Sequence, residues 1–194
     1  MNDNATWTLS ASDGELLLHT GVTGTAARVG HRLTIAMRSW EATVFWQGDG
    51  DGAEPVKAEL TIDVESLEVV GSEGGVTPLS GAEKTVVRNN ALKLLRARRF
   101  PQARFVSSDI ERVGDIVRMH GAFEFFGKVR DHVLEVRIAD GVICGETVVR
   151  HGDYGIKQYS MLIGAMKVAD EVRVTFTATH RAAHRVGRGR PRPP

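Results

Sequence analysis

A two-residue alternation of apolar and polar side chains constrains this fold more than any other feature of the sequence. It runs through residues 32–37, 59–65 and 171–178, where every second position is apolar and the intervening positions are mostly charged or hydroxylated. Successive side chains of an extended chain point to opposite faces, so each segment predicts a strand with one buried and one solvated face. Shorter stretches of the same type lie at residues 6–10, 15–20, 40–47, 103–112, 115–125, 132–138 and 142–150.

Turn signals separate these stretches, for example at residues 12–14 and 139–141, which favours antiparallel neighbours joined by short turns. Pro55, Pro78 and Pro101 fall between the strand candidates, so every strand could be internal to a closed sheet. We therefore predict an all-β antiparallel barrel of about eight strands, with a sandwich as the related architecture. A barrel of this size either fills its interior with side chains or holds one small ligand, and the alternation leaves both open.

One segment departs from the strand pattern. Residues 82–96 contain neither glycine nor proline, and Val87, Ala91, Leu94 and Leu95 recur at helical spacing. This predicts one amphipathic helix whose apolar face closes one side or end of the sheet. Ser80 or Gly81 is the candidate cap at its start, and the helix should end before Pro101.

Residues 181–194 are chemically distinct from the rest of the chain. They contain five arginines and no acid, and subtracting those five charges from the net charge of +1 leaves residues 1–180 at −4. This Arg/Gly/Pro-rich composition predicts a disordered tail after a single barrel domain of residues 1–180. Two roles stay open for the tail: weak contact with an anionic membrane surface, worth about 1 kcal/mol per arginine, or a solubilising end. Arginines without interleaved aromatics do not predict a specific nucleic-acid site.

The sequence also carries an expectation about location. It has one cysteine, Cys144, so no disulfide within the chain is available. The first residues lack the basic and apolar regions of a secretory signal, and no apolar run approaches the ~20 residues of a membrane span. We expect a cytoplasmic protein.

The order of motifs resembles the YceI-like family of lipocalin-type polyisoprenoid-binding proteins. The matching stretches are Val-Gly-His-Arg-Leu at 29–33, Leu-Thr-Ile-Asp-Val-Glu-Ser-Leu-Glu-Val at 60–69, Arg-Phe-Pro-Gln-Ala-Arg-Phe at 99–105 and, most specifically, residues 153–172. The resemblance covers roughly residues 6–179. It implies a lipocalin-like barrel around a polyisoprenoid or similar chain, and members are often dimeric. The stretch 71–79 differs from the Arg-Asp-His-Leu segment common in the family, which, with the missing leader, indicates a separate cytoplasmic branch.

Taken together, the resemblance and the alternation predict a non-catalytic protein that binds, sequesters or carries an apolar lipid such as a polyisoprenoid or isoprenoid quinone. No cofactor is predicted other than such a bound lipid, and the expected partners are this hydrophobic molecule and a second copy of the chain in a homodimer. The inward apolar lining is predicted to comprise Leu33, Ile35, Met37, Trp40, Leu60, Ile62, Val64, Phe105, Phe123, Phe125, Val172, Val174 and Phe176. Trp40 and Trp46 share one parity along a strand and could flank a cavity mouth, belong to the packed core or plug the end of the barrel.

Three polar side chains are candidates for a gating or ligand-contacting role: His31, which follows Gly30 at the start of a strand, and Tyr154 and Tyr159 in the unusual connection 153–159. Two alternatives to lipid carriage stay open. One is an enzyme that uses the cavity with His31 or the Tyr154/Tyr159 segment as acid or base. The other is a stress-related interaction module with a filled barrel.

The sequence offers little support for other chemistry. No histidine pair has a strong metal-ligand spacing, so no metal site is predicted. No Gly-x-Ser-x-Gly motif is present, and no catalytic residue is assigned. Cys144, between Ile143 and Gly145 with no adjacent cation, is interpreted as a small core residue.

Overall fold

A computed structural model describes residues 5–48 and 53–180 of the protein. The predicted tail, residues 181–194, lies outside the described residues. The strands are β1 (Thr6–Ser10), β2 (Gly14–Thr23), β3 (His31–Met37), β4 (Trp40–Gln47), β5 (Glu54–Asp63), β6 (Leu67–Gly74), β7 (Gln102–Val113), β8 (Ile116–Phe125), β9 (Lys128–Ala139), β10 (Val142–Arg150), β11 (Ser160–Met161) and β12 (Met166–Thr179). The helices are α1 (Gly81–Leu94) and the single turn α2 (His151–Tyr154).

The strands close into an antiparallel ring of eight long units. Three of these units are bent strands, each made of two successive halves: β1 with β2, β3 with β4, and β5 with β6. The pairings show this. The first bent strand pairs with the second through β1–β4 and β2–β3, and the second pairs with the third through β4–β5 and β3–β6. β5 continues to β7, β8, β9, β10 and β12, and β12 returns to β2, with Phe176 opposite Leu16. The predicted all-β, lipocalin-like barrel is confirmed.

The predicted helix covers an edge that the ring leaves free. Among the described strands β6 pairs only with β3, and α1 lies against its other side. Lys84 Nζ donates to the Val70 carbonyl at 3.3 Å, and Arg88 donates to the carbonyls of Leu67 and Glu65, each at 2.6 Å. Two long cations therefore satisfy carbonyl groups that a neighbouring strand would otherwise bind.

Local sequence explains where α1 starts and which face it buries. The Ser80 hydroxyl accepts from the Glu83 amide at 3.3 Å, while the Glu83 carboxylate accepts from the Ser80 amide at 2.8 Å. This reciprocal capping box fixes the first turn. Val87, Ala91 and Leu95 then pack against the core of the barrel, as their helical spacing predicts.

Proline placement departs from the prediction at one position. Pro55 is the second residue of β5 rather than part of a connection, and it lies opposite Trp46 where the β4–β5 register shifts. β7 pairs with β5 only from Glu59 onward. Pro55 is tolerated because this end of β5 has no second ladder that needs its missing amide proton.

Aromatic rings close one end of the barrel. Trp46, which is 5% exposed, packs on Trp7 with ring centroids 4.4 Å apart, and Trp7 stacks on His180 at 4.2 Å. The Arg112 guanidinium lies 6.0 Å from the Trp46 ring. Trp46 is thus a buried core residue that also closes this end of the barrel, and it does not flank an open mouth. No helix in the described ranges is long and apolar enough to cross a membrane.

Candidate ligand cavity

The barrel interior holds a cavity of about 700 Å³ lined almost wholly by aliphatic and aromatic side chains. This volume falls within the ~300–1,000 Å³ typical of sites for small molecules. Strand alternation creates the lining, because every second residue of each strand faces inward. α1 contributes a further wall with Val86, Val87, Ala91 and Leu94, and Leu95 directly after the helix extends it.

Most of the apolar residues that alternation assigns to the interior border this cavity. Phe105, which is 2% exposed, and Ile62, which is 9% exposed, are among its most buried members. The predicted residues found in the lining are Leu33, Ile35, Met37, Leu60, Ile62, Val64, Phe105, Phe123, Phe125, Val172, Val174 and Phe176.

Trp40 does not line the cavity, in contrast to the prediction. It is buried, with 5% of its surface exposed, and its ring packs edge-on against Phe176 at 5.1 Å. Phe176 borders the cavity, so Trp40 forms a layer behind it. Trp40 begins β4, directly after the bend from β3, where the parity of a straight strand no longer decides which side chain reaches the centre.

Tyr154 also lies outside the lining and has a supporting position. The connection in which it was predicted forms the turn α2, which Gly155 ends in a left-handed conformation at φ 72°. Tyr154 is 2% exposed, and its ring meets Phe123 at 5.8 Å and Phe125 at 5.5 Å edge-on. Burial raises the pKa of its phenol, so the hydroxyl stays protonated. Tyr154 thus holds two lining rings in place.

His31 and Tyr159 border the open end of the cavity. The His31 Nε2 donates to the Thr77 carbonyl oxygen at 2.8 Å, because a carbonyl oxygen can only accept. Tyr159 Oη accepts a hydrogen bond from Asn90 Nδ2 at 3.2 Å. This bond ties α1 to the chain that leads into β11.

A second polar region of the lining escaped the sequence reasoning. His132, Thr147 and His151 border the cavity on β9, β10 and α2. Burial lowers the pKa of His132 and also that of His151, where Asp170 acts in the opposite direction. Among the described residues His151 Nδ1 is buried without a hydrogen-bond partner. The parity of His132 with Leu134 and Val136 was the available signal for its inward position.

These groups lie where two strands of the ring separate. β9 and β10 pair only from Val136 with Gly145 to Ala139 with Val142. In contrast, β9 stays paired with β8 from Lys128 to Arg137, and β10 stays paired with β12 along its whole length. Beyond Gly145, His132 Nε2 and Thr147 Oγ1 meet at 2.9 Å. A side-chain hydrogen bond thus replaces backbone pairing where β9 and β10 separate, a gap that we call the seam.

Chemically, the cavity offers mainly apolar surface, with a few hydrogen-bonding groups such as His132 and Thr147 and with charged side chains, among them Glu59 and Lys167, at its border. Over residues 5–48 and 53–180, no three His, Cys, Asp or Glu side chains cluster as metal ligands would. Cys144 is exposed, so its interpretation as a core residue is wrong. It faces outward because it pairs with Arg137 and Thr177, both of which lie on the outer face, and the inward parity of β10 belongs to Ile143 and Gly145.

A closed eight-stranded antiparallel barrel around an apolar cavity defines a lipocalin-like class of protein. The chain belongs to the YceI-like family, whose YceI-like domain profile matches residues 7–180. Among solved structures, Burkholderia cenocepacia BcnA matches with a TM-score of 0.64 at 17% identity, over 89% of this chain and 99% of BcnA. The YCEI protein of Campylobacter jejuni matches with a TM-score of 0.54 at 16% identity, over 79% of this chain and 86% of the other. No curated protein matches.

Proposed function

We propose that the protein binds an apolar lipid, a polyisoprenoid, isoprenoid quinone or similar chain, inside the barrel and sequesters or carries it without chemical change. The observation that carries this proposal is the cavity of about 700 Å³ with its apolar lining. Burying a hydrocarbon chain is worth about 0.8 kcal/mol per CH₂ group. A chain of a few isoprene units therefore needs hardly any polar contacts to bind.

The polar groups support binding more than catalysis. His31 is hydrogen-bonded to a backbone carbonyl rather than to a carboxylate, so it lacks the partner that would orient and activate a general base. Tyr154 is packed between two rings away from the cavity. The open interior likewise favours carriage over an interaction module with a filled barrel. The homodimer suggested by the family remains part of the proposal and is measurable by sedimentation.

The first test is native mass spectrometry of the protein purified from its own host, followed by lipid extraction. We expect a stoichiometric lipid with a long apolar chain. The delipidated protein should then take up geranylgeraniol or an isoprenoid quinone from dilute solution. An empty protein that takes up neither probe contradicts the proposal.

A matched pair of variants ties uptake to the cavity. Leu134 lines the cavity, whereas its neighbour Val133 is 47% exposed on the opposite face of β9. Leu134→Trp fills interior volume and should lower the affinity for geranylgeraniol at least tenfold, while Val133→Trp should leave it unchanged. Because overpacking costs about 1–3 kcal/mol, Leu134→Phe serves as the milder substitution if Leu134→Trp does not fold. Equal uptake by all three variants would show that the ligand lies elsewhere.

A further inference from the structure

The turn between β11 and β12 exposes three consecutive apolar residues. Met161 is 47% exposed, Leu162 is 57% exposed and Ile163 is fully exposed. Leu162 and Ile163 lie in the short 3-10 turn Leu162–Gly164. We call residues 161–163 the apolar tip. Single exposed apolar residues are common on protein surfaces, but a run of three on one projecting turn marks an interaction site.

The backbone of the apolar tip is also strained. Leu162 and Ile163 have φ values of 52° and 53°, in the left-handed region that Gly, Asn and Asp adopt more readily than a branched apolar residue. Ile163 is an especially poor choice because its β-branched side chain crowds this conformation. Packing does not compensate for this strain, because the Ile163 side chain is fully exposed. Strained positions of this kind concentrate at functional sites.

The apolar tip continues the wall of the cavity out of the barrel. Met161, Val29 and Val86 border the cavity and are each exposed by 46–58% of their surface. The loop that carries Val29 is held beside the apolar tip, because the Ala26 amide donates at 2.9 Å to the carbonyl of Ala165, two residues after Ile163. We call the apolar tip with Val29 and Val86 the mouth rim. A hydrocarbon chain leaving the cavity would meet apolar surface until it reached the outside.

Unpaired cations flank the mouth rim. Arg28 and Lys167 are exposed, and neither forms an ion pair within the described part of the chain. Of the acids near this end, Glu83 is hydrogen-bonded to Ser80 in the capping box of α1, and Glu73 pairs with Arg32 at 3.8 Å. An aliphatic projection bordered by free cations is the pattern of a protein surface that lies on a bilayer, where apolar groups reach the acyl region and cations meet anionic headgroups.

We propose that the mouth rim docks on a lipid bilayer surface, with Leu162 and Ile163 inserted and Arg28 and Lys167 at the headgroups. The bilayer is favoured over a second protein because the exposed surface is continuous with an apolar cavity. The docking itself needs no bound ligand. The passage of a lipid chain between bilayer and cavity through this contact rests on the proposed function.

The test uses the double substitution Leu162→Asn with Ile163→Asn. Asparagine tolerates the left-handed backbone, so the variant should keep or increase its melting temperature while losing the apolar tip. Binding to phosphatidylcholine–phosphatidylglycerol vesicles, measured by flotation, should fall at least about tenfold, as expected for two lost aliphatic side chains. The matched control is Val113→Asn, because Val113 is 81% exposed at the end of the barrel closed by Trp46. This control should bind vesicles like the wild type.

Two readouts separate the possible failures. Uptake of geranylgeraniol added from ethanol should be unchanged in the double variant, whereas its transfer from vesicles should slow in parallel with vesicle binding. A wild-type protein that floats with vesicles but takes up no lipid refutes the proposed function and leaves docking intact. Docking is overturned if the wild type does not float, or if the double variant floats equally well. It is also overturned if sedimentation shows that the substitutions only convert a dimer to a monomer, with no vesicle binding by either.

Discussion

His132 on β9 and Thr147 on β10 are joined by a hydrogen bond of 2.9 Å between Nε2 and Oγ1, across the part of the barrel where the backbones of these strands no longer pair. Thr147→Val keeps the shape of the side chain but removes the hydroxyl, which leaves the half-buried His132 ring without this partner. We expect a loss of about 1–3 kcal/mol in the free energy of unfolding, measured in urea. Thr177→Val on the outer face of β12 is the control and should change it by less than about 0.5 kcal/mol. Equal effects would mean that the seam does not depend on this bond.

Acid should destabilise the protein. Burial lowers the pKa of His132 and His151 below the ordinary value of 6.5, and it acts in the same direction at His19 and His180. As the pH falls through 6.5, the unfolded chain binds protons that the folded chain does not yet bind, so stability is full above this pH and is lost below it. The free energy of unfolding should therefore decline between pH 7 and pH 5.

A histidine variant assigns this effect. His132→Gln removes one of the buried groups and should reduce the slope of stability against pH relative to the wild-type protein. A flat profile in the wild-type protein, or an unchanged slope in His132→Gln, would count against the buried groups as the cause.

Gly121 allows the close approach of Phe105, a lining residue that is 2% exposed. A Cβ at position 121 would lie 2.7 Å from Phe105 Cζ and would also meet the Val106 carbonyl oxygen. Gly121→Ala should therefore cost about 1–3 kcal/mol. Gly81→Ala, at the first residue of α1 with nothing within 4 Å of its Cβ, should be neutral or slightly stabilising. Thermal melts of both variants measure this difference. The prediction is wrong if Gly121→Ala has the same melting temperature as the wild type.

Arg88 should matter more than an ordinary surface arginine. It donates to the carbonyls of Leu67, the first residue of β6, and of Glu65 in the turn before it, each at 2.6 Å, so Arg88→Ala should loosen α1 and accelerate amide exchange along the helix. We expect a loss of about 1–3 kcal/mol. Arg32→Ala removes an exposed ion pair with Glu73 at 3.8 Å and should cost less than about 1 kcal/mol. If exchange in α1 is the same in both variants, the helix is held by its apolar face alone.

The sequence predicted the barrel and most of its lining because alternation is a local property of each strand. It placed Ile62 and Phe105 correctly on the inner face for this reason. It failed at Trp40 and Tyr154, whose positions depend on a strand bend and on a helical turn that close only through distant contacts. The sequence also did not predict the seam beside His132 or the strained backbone of Ile163. Residue type alone indicates neither where the pairing of two strands ends nor the sign of φ.

The stacking of Trp7 on His180, with ring centroids 4.2 Å apart, brings together the two ends of the described barrel. Because β12 pairs with β2 and completes the ring, the cyclic order of the strands does not depend on where the covalent chain starts. A short linker from His180 back to Ala5, with new termini in the turn at Gly114, would preserve every strand pair. Topologically the barrel is a loop, and circular permutation should be tolerated.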